Sequence, residues 1–161
     1  MDRERAIRIK AEIKAQFRLM ERVSDKLDSR LEDGWDTPGQ LDSIAYQIHN
    51  LYSSVEDLLK LIASAFENNI GSDGGWHRAL LLRMSQPMEG IRPAFLSEES
   101  FDLMDRLRTF RHMFRHAYGA DIDKDQLRGN LATAQNLYDS IARDIDNFLL
   151  QLIDSEGDHN L

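Results

Sequence analysis

Four arginines and two histidines lie in one short stretch of the chain, SEESFDLMDRLRTFRHMFRHAYG at 97–119. Arginine presents a permanently charged, planar fork that fits phosphate oxygens, and histidine exchanges protons near neutral pH. An RNA strand carries its own nucleophile, the 2′-hydroxyl. Its cleavage therefore needs only a base or an acid, and a cation that stabilises charge on the phosphate. These residue types suit phosphodiester cleavage for which no metal is chemically required.

The same stretch predicts a helix over 98–118, which begins after Ser97 and ends at Gly119. At about 100° per residue, one stripe is apolar and predicts a core face, with Leu103, Leu107, Phe110, Phe114 and Ala117. A second stripe is largely basic, with Met104, Arg108, Arg111, Arg115 and Tyr118. A third holds Asp105, His112 and His116.

Like charges three or four residues apart destabilise a helix by a few tenths of a kcal/mol per pair, and on this helix Asp102 and Asp105 alone lie near enough to offset them. Two explanations stay open: acidic residues on neighbouring helices pair with the arginines, or the arginines bind a phosphate.

Arg111 and His116 are separated by about 140° on an ideal helix, so they do not share one face. Both reach one cleft if the helix lies at its rim, if the helix end is distorted, or if two subunits pack these helices together. We favour the dimer. Gly119 places His116 and Tyr118 in the last turn, where a polymer has access.

The elements that must hold this helix are also helical. Glycine and proline cluster at 33–39, 71–75, 86–93 and 118–121, and helical apolar spacing predicts helices over 2–32, 38–69, 76–85 and 123–154. No segment alternates with period two. We predict an all-α bundle of about five helices, in which two long antiparallel helices have shorter ones packed across them. A single domain is expected over 1–154, with a frayed acidic tail at 155–161.

Composition narrows the function classes. The 161 residues contain no cysteine, which excludes disulfide scaffolds, thiolate nucleophiles and Cys-ligated zinc. No signal peptide and no membrane span are expected, which is compatible with a cytoplasmic protein. The net charge of −8 repels a polyanion except where basic residues concentrate, as they do at 106–115.

The residues at 111–118 spell Arg-x4-His-x-Tyr, with a polar residue directly after the arginine. Together with Tyr52 and Glu56, Trp76-His77 and Arg92-Pro93, this resembles the HEPN ribonucleases, specifically the HepT-like toxins. The likeness extends over nearly the whole chain.

The resemblance implies a HEPN-type helical homodimer with a composite, metal-independent endoribonuclease site and no cofactor. Arg111 and His116 would be catalytic, with Arg108, His112 and Arg115 supporting RNA-phosphate binding. It also implies a cognate minimal nucleotidyltransferase antitoxin that silences the toxin by transferring AMP to Tyr118. Phosphates added there would repel the RNA.

For the other polar and aromatic residues we expect structural roles or no catalytic role. We expect Trp76 to be a core anchor and Tyr52 and Glu56 to form a buried hydrogen bond, and we assign no catalytic role to His77, His49 or His159.

Alternative functions are a HEPN-like dimer that binds RNA or a nucleotidyltransferase without cutting, and a bundle that binds a protein through its basic helix. A metal enzyme is disfavoured because His112 and His116 lack the Glu-x-x-His arrangement of di-metal bundles.

Overall fold

The computed structural model describes residues 1–67, 76–116 and 121–157, and these form five α-helices. They are α1 (Arg3–Asp33), α2 (Pro38–Phe66), α3 (Trp76–Met84), α4 (Glu98–His116) and α5 (Lys124–Gly157). The predicted all-helical class and the order of the helices are confirmed.

The first two helices form an antiparallel hairpin. Thr37 caps α2 with a reciprocal pair of bonds: its hydroxyl accepts from the Gln40 amide at 3.2 Å, and the Gln40 side chain accepts from the Thr37 amide at 3.0 Å. Along the hairpin, Gln16 donates to the carbonyl of Ser54 at 2.9 Å. The predicted cap and the antiparallel pair are both confirmed.

A third long helix completes the bundle. The 34 residues of α5 pack against α1, α2 and α4, so three helices of about 30 residues surround one apolar core. The shorter α3 and α4 pack against α2, and α4 also contacts α5. This arrangement puts α4 between two long helices and fixes which of its faces is buried.

A buried polar cluster fastens the beginning of α4 to α5. Ser97 caps α4, because its hydroxyl accepts from the Ser100 amide at 3.2 Å. The Asp144 carboxylate accepts from the amide and the hydroxyl of Ser97, each at 3.1 Å, and the hydroxyls of Ser100 and Ser140 lie 2.6 Å apart. The predicted Ser97 cap is confirmed, and these bonds set the register of α4.

Two helix ends differ from the prediction. α2 ends at Phe66 instead of 69, because Glu67 is extended (φ −133°, ψ 138°) and its buried carboxylate binds Arg92. α5 continues to Gly157, while residues 158–161 of the expected tail lie outside the described residues. Among the helices described here, none combines the length and apolar character needed to cross a membrane.

Candidate functional site

One face of α2 carries a row of polar side chains. His49, Tyr52, Glu56 and Lys60 recur at steps of three and four, so they lie along one stripe of the helix. Tyr52 and Glu56 are buried, with 1% and 3% of their surface exposed. Since α3 and α4 are packed against α2, this stripe is where side chains of three helices meet.

Arg111 of α4 lies over the ring of Tyr52, with its guanidinium carbon 5.9 Å from the ring centroid. The residue is half-buried, and its Nε atom is buried without a hydrogen-bond partner. Within the described ranges, no carboxylate lies within 4.0 Å of this guanidinium. A buried donor that the protein leaves unpaired is uncommon and suits an arginine that awaits an anionic ligand.

The neighbouring arginine behaves differently. Arg108 donates to Asp105 at 3.0 Å, and Arg78 of α3 approaches the same carboxylate at 4.0 Å. Asp105 of the same helix therefore accounts for Arg108, no acidic residue of a neighbouring helix is seen to pair with it in the described ranges, and no acid pairing accounts for Arg111.

His49 belongs to the same cluster. Its ring centroid lies 5.9 Å from that of Phe114, and its Nδ1 atom is buried with no hydrogen-bond partner. Burial lowers the pKa of His49, the charges of Arg111 and Arg115 lower it further, and Glu56 opposes them. No role was predicted for His49 from the sequence. Its three-residue spacing from Tyr52 was the available signal.

Glu56 is the centre of the hydrogen bonds on this face. Its Oε2 accepts from the Tyr52 hydroxyl at 2.9 Å and lies 2.7 Å from Nδ1 of His77, and its Oε1 lies 4.0 Å from Nζ of Lys60. Burial, followed by the charge and hydrogen bond of Glu56, raises the pKa of Tyr52, so this phenol stays protonated. The predicted Tyr52–Glu56 bond is confirmed.

The remaining predicted site residues lie around the end of α4. His112 and Arg115 are exposed. His116 is the last residue of the helix, and Tyr118 lies outside the described residues. The structure thus brings Arg111 together with Tyr52 and His49, and it places His112 and Arg115 on the solvent side of α4.

No group of three or more His, Asp or Glu side chains that could hold a metal ion occurs in 1–67, 76–116 or 121–157. What the described site offers is a guanidinium with a free donor, two imidazoles and a buried carboxylate. These groups can bind an anion and move a proton.

A family model described as "HepT-like protein" matches residues 43–152. The matched region begins within α2 and ends within α5, so it includes every helix of the site. Neither a curated protein nor a solved structure matches the chain.

Proposed function

The chain belongs to the HepT-like family, and from that premise we propose that it is a metal-independent endoribonuclease, the toxin of a HEPN/minimal nucleotidyltransferase toxin–antitoxin pair that acts in the cytoplasm. The observation that carries the proposal is Arg111. Its guanidinium lies over Tyr52 with a buried, unpaired Nε, five residues before His116 at the end of an arginine-rich helix. An RNA phosphate would supply the missing acceptor.

In this mechanism Arg111 orients the scissile phosphate and stabilises the charge that develops on it, and His116 transfers a proton. Arg108 and Arg115 add positive charge along the path of the strand, and His112 adds a hydrogen-bonding imidazole. No metal is needed because the 2′-hydroxyl of the RNA is the nucleophile.

The active unit we propose is a homodimer. Arg111 and His116 are about 140° apart around one helix, so a single α4 does not present both to the same cleft. When two α4 helices pack together in a dimer, Arg111 of one subunit and His116 of the other can face one cleft. Met113, on the same helix, exposes 49% of its surface, which suits a helix that packs against a partner.

The test is cleavage of total RNA in EDTA by the purified protein and by Arg111→Ala and His116→Ala variants shown to be folded dimers. Both substitutions should lower cleavage by about 10²–10³-fold or more. The matched control is Arg106→Ala, because Arg106 is an exposed arginine of the same helix and forms a looser Arg-x5-His with His112. It should keep most of the cleavage.

Two results would contradict the nuclease. Equal cleavage by all four proteins would mean a contaminating enzyme. RNA binding without cleavage by any of them would favour a non-enzymatic HEPN-like module.

We further propose that a cognate nucleotidyltransferase silences the toxin by transferring AMP to Tyr118. The AMP would bring a negatively charged phosphate to a residue three positions after Arg115 in the sequence, and this charge would repel RNA. Intact mass after incubation with the transferase and ATP should rise for wild type and stay constant for Tyr118→Phe. An unchanged mass of wild type would exclude this regulation.

A further inference from the structure

The hydrogen bonds of Glu56 select the tautomer of a second histidine at the site. Glu56 is buried, and its Oε2 receives the Tyr52 hydroxyl at 2.9 Å and faces Nδ1 of His77 at 2.7 Å. An ionised carboxylate only accepts hydrogen bonds. The proton of His77 therefore lies on Nδ1, and its Nε2 is the ring atom that can take a proton.

The imidazole of His77 is also held in place by packing against neighbouring side chains. The ring of Trp76 packs against it, tilted by 30° and with the two centroids 3.8 Å apart, and Nζ of Lys60 lies 4.3 Å above the Trp76 ring. About a quarter (24%) of the His77 side chain is exposed, so it is held by its neighbours and remains partly accessible. Such an orientation, with a carboxylate on one ring nitrogen, is how hydrolases prepare a histidine as a base.

Arg111 and His77 lie on the two sides of the Tyr52–Glu56 pair. The guanidinium is above the ring of Tyr52, and His77 bonds the carboxylate that accepts the Tyr52 hydroxyl. One proton must leave the 2′-hydroxyl and another must reach the departing oxygen. In the proposed homodimer each subunit contributes a His116, and His77 adds an imidazole that differs from it in being oriented by a buried carboxylate, which also accepts from the tyrosine beneath Arg111.

We propose that His77, oriented by Glu56, is the general base of the RNA cleavage, an inference that rests on the ribonuclease function proposed above. Nε2 of His77 takes the proton of the 2′-hydroxyl while the 2′-oxygen bonds to phosphorus and the bond from phosphorus to the 5′-oxygen breaks. His116 gives the departing 5′-oxygen its proton. The products are a 2′,3′-cyclic phosphate and a 5′-hydroxyl, and both imidazoles return to their starting state by exchange with water.

The experiment compares wild type, His77→Ala and Tyr52→Phe in RNA cleavage, with and without added imidazole. His77→Ala should lose about 10²–10⁴-fold in rate and bind RNA that carries a 2′-deoxy scissile nucleotide as wild type does. Imidazole should restore part of the rate, more so for more basic substituted imidazoles. Tyr52→Phe removes the other hydrogen bond to Glu56 and keeps the imidazole, so added imidazole should not stimulate it.

A substrate with sulfur in place of the scissile 5′-oxygen separates base from acid, because a thiolate leaves without being protonated. His116→Ala should recover on this substrate, and His77→Ala should stay slow. Recovery of His77→Ala would overturn the assignment as base.

The other outcomes are distinguishable. Full activity of His77→Ala, or a loss that imidazole does not restore, would refute the role of His77 and leave the nuclease standing. Inactivity of wild type would refute both proposals. If His77→Ala does not fold, His77→Gln keeps a hydrogen bond to Glu56 without a titratable ring, and a fully active His77→Gln would refute the proposal equally.

Discussion

Two arginines packed near α2, Arg92 and Arg111, differ in how many of their side-chain donors form hydrogen bonds within the protein. The Arg92 side chain is fully buried, at 0% exposed, and every nitrogen donates: to Glu67 at 3.2 and 2.8 Å, and to the carbonyls of Gln86, Pro93 and Arg83 at 3.0, 3.1 and 3.1 Å. Arg111 is half-buried, lies over the ring of Tyr52, and keeps a buried Nε without a partner.

The difference separates an arginine that holds the fold from one that is kept for a ligand. Arg92 joins the end of α2 to the segment between α3 and α4, and its bonds are complete without any other molecule. Arg111 leaves hydrogen-bonding capacity unused at a place where the protein could have supplied an acceptor. Removing each arginine should therefore have opposite consequences for stability and for activity.

The largest expected effect is the loss of Arg92. Arg92→Ala leaves the Glu67 carboxylate buried with Arg83 as its remaining cationic partner, and it should lower the free energy of unfolding by about 3–5 kcal/mol. Urea denaturation of wild type and variant measures this difference.

The matched control is Arg92→Met combined with Glu67→Leu. Replacing a buried ion pair by apolar residues of similar volume is often neutral, so the double variant should recover most of the stability. Arg92→Ala within about 1 kcal/mol of wild type would contradict the structural role of this pair.

The next largest effect is expected from the hydrogen bond between Tyr52 and Glu56 in the candidate site. Tyr52→Phe removes a hydrogen bond to the buried Glu56 carboxylate and keeps the ring beneath Arg111. The free energy of unfolding should fall by about 1.5–3 kcal/mol, the usual range for a hydrogen bond to a charged group. A variant as stable as wild type would show that the 2.9 Å contact contributes nothing, and Tyr46→Phe, on the exposed side of α2, serves as the control.

A smaller change is expected at Arg111. Arg111→Met removes an unpaired buried donor and retains an apolar side chain over Tyr52, so the free energy of unfolding should stay within about 1 kcal/mol of wild type or increase. The rate of RNA cleavage by the same protein should nevertheless fall strongly, as expected for Arg111→Ala. A destabilisation as large as that of Arg92→Ala would show that Arg111 also serves the fold.

Much of the fold, and two residues of the candidate site, could be predicted from local sequence. The helices follow from apolar spacing, and the caps at Thr37 and Ser97 follow from residue types that accept a hydrogen bond from the first turn. Arg111 and His116 could be chosen because their spacing matches a family motif. These signals are confined to a few consecutive turns, which is why one sequence suffices to read them.

The contacts between helices could not be read in the same way. Glu56 and His77 are 21 positions apart and meet because α3 packs on α2, and His49 approaches Phe114 because α4 does so as well. No catalytic role was predicted for His49 or His77, because the sequence alone does not show that either residue meets the other groups of the site. Only the packing of three helices turns them into parts of one site.

The smallest expected effect is a pH dependence that comes from His49. Burial, Arg111 and Arg115 lower its pKa below the ordinary value of 6.5, so the unfolded chain binds a proton that the folded chain resists. The contribution of neutral His49 is complete above that ordinary value and is lost as the pH falls below it toward the lowered pKa. Wild type should therefore lose more stability than His49→Gln between about pH 7.5 and about pH 5.5, on either side of the ordinary histidine pKa.

Urea denaturation at the two pH values measures both proteins, and the other histidines, common to both, cancel in the comparison. Equal losses would mean that the unpaired Nδ1 of His49 takes up a proton without penalty, and that the site beside Arg111 is more open to water than its burial indicates.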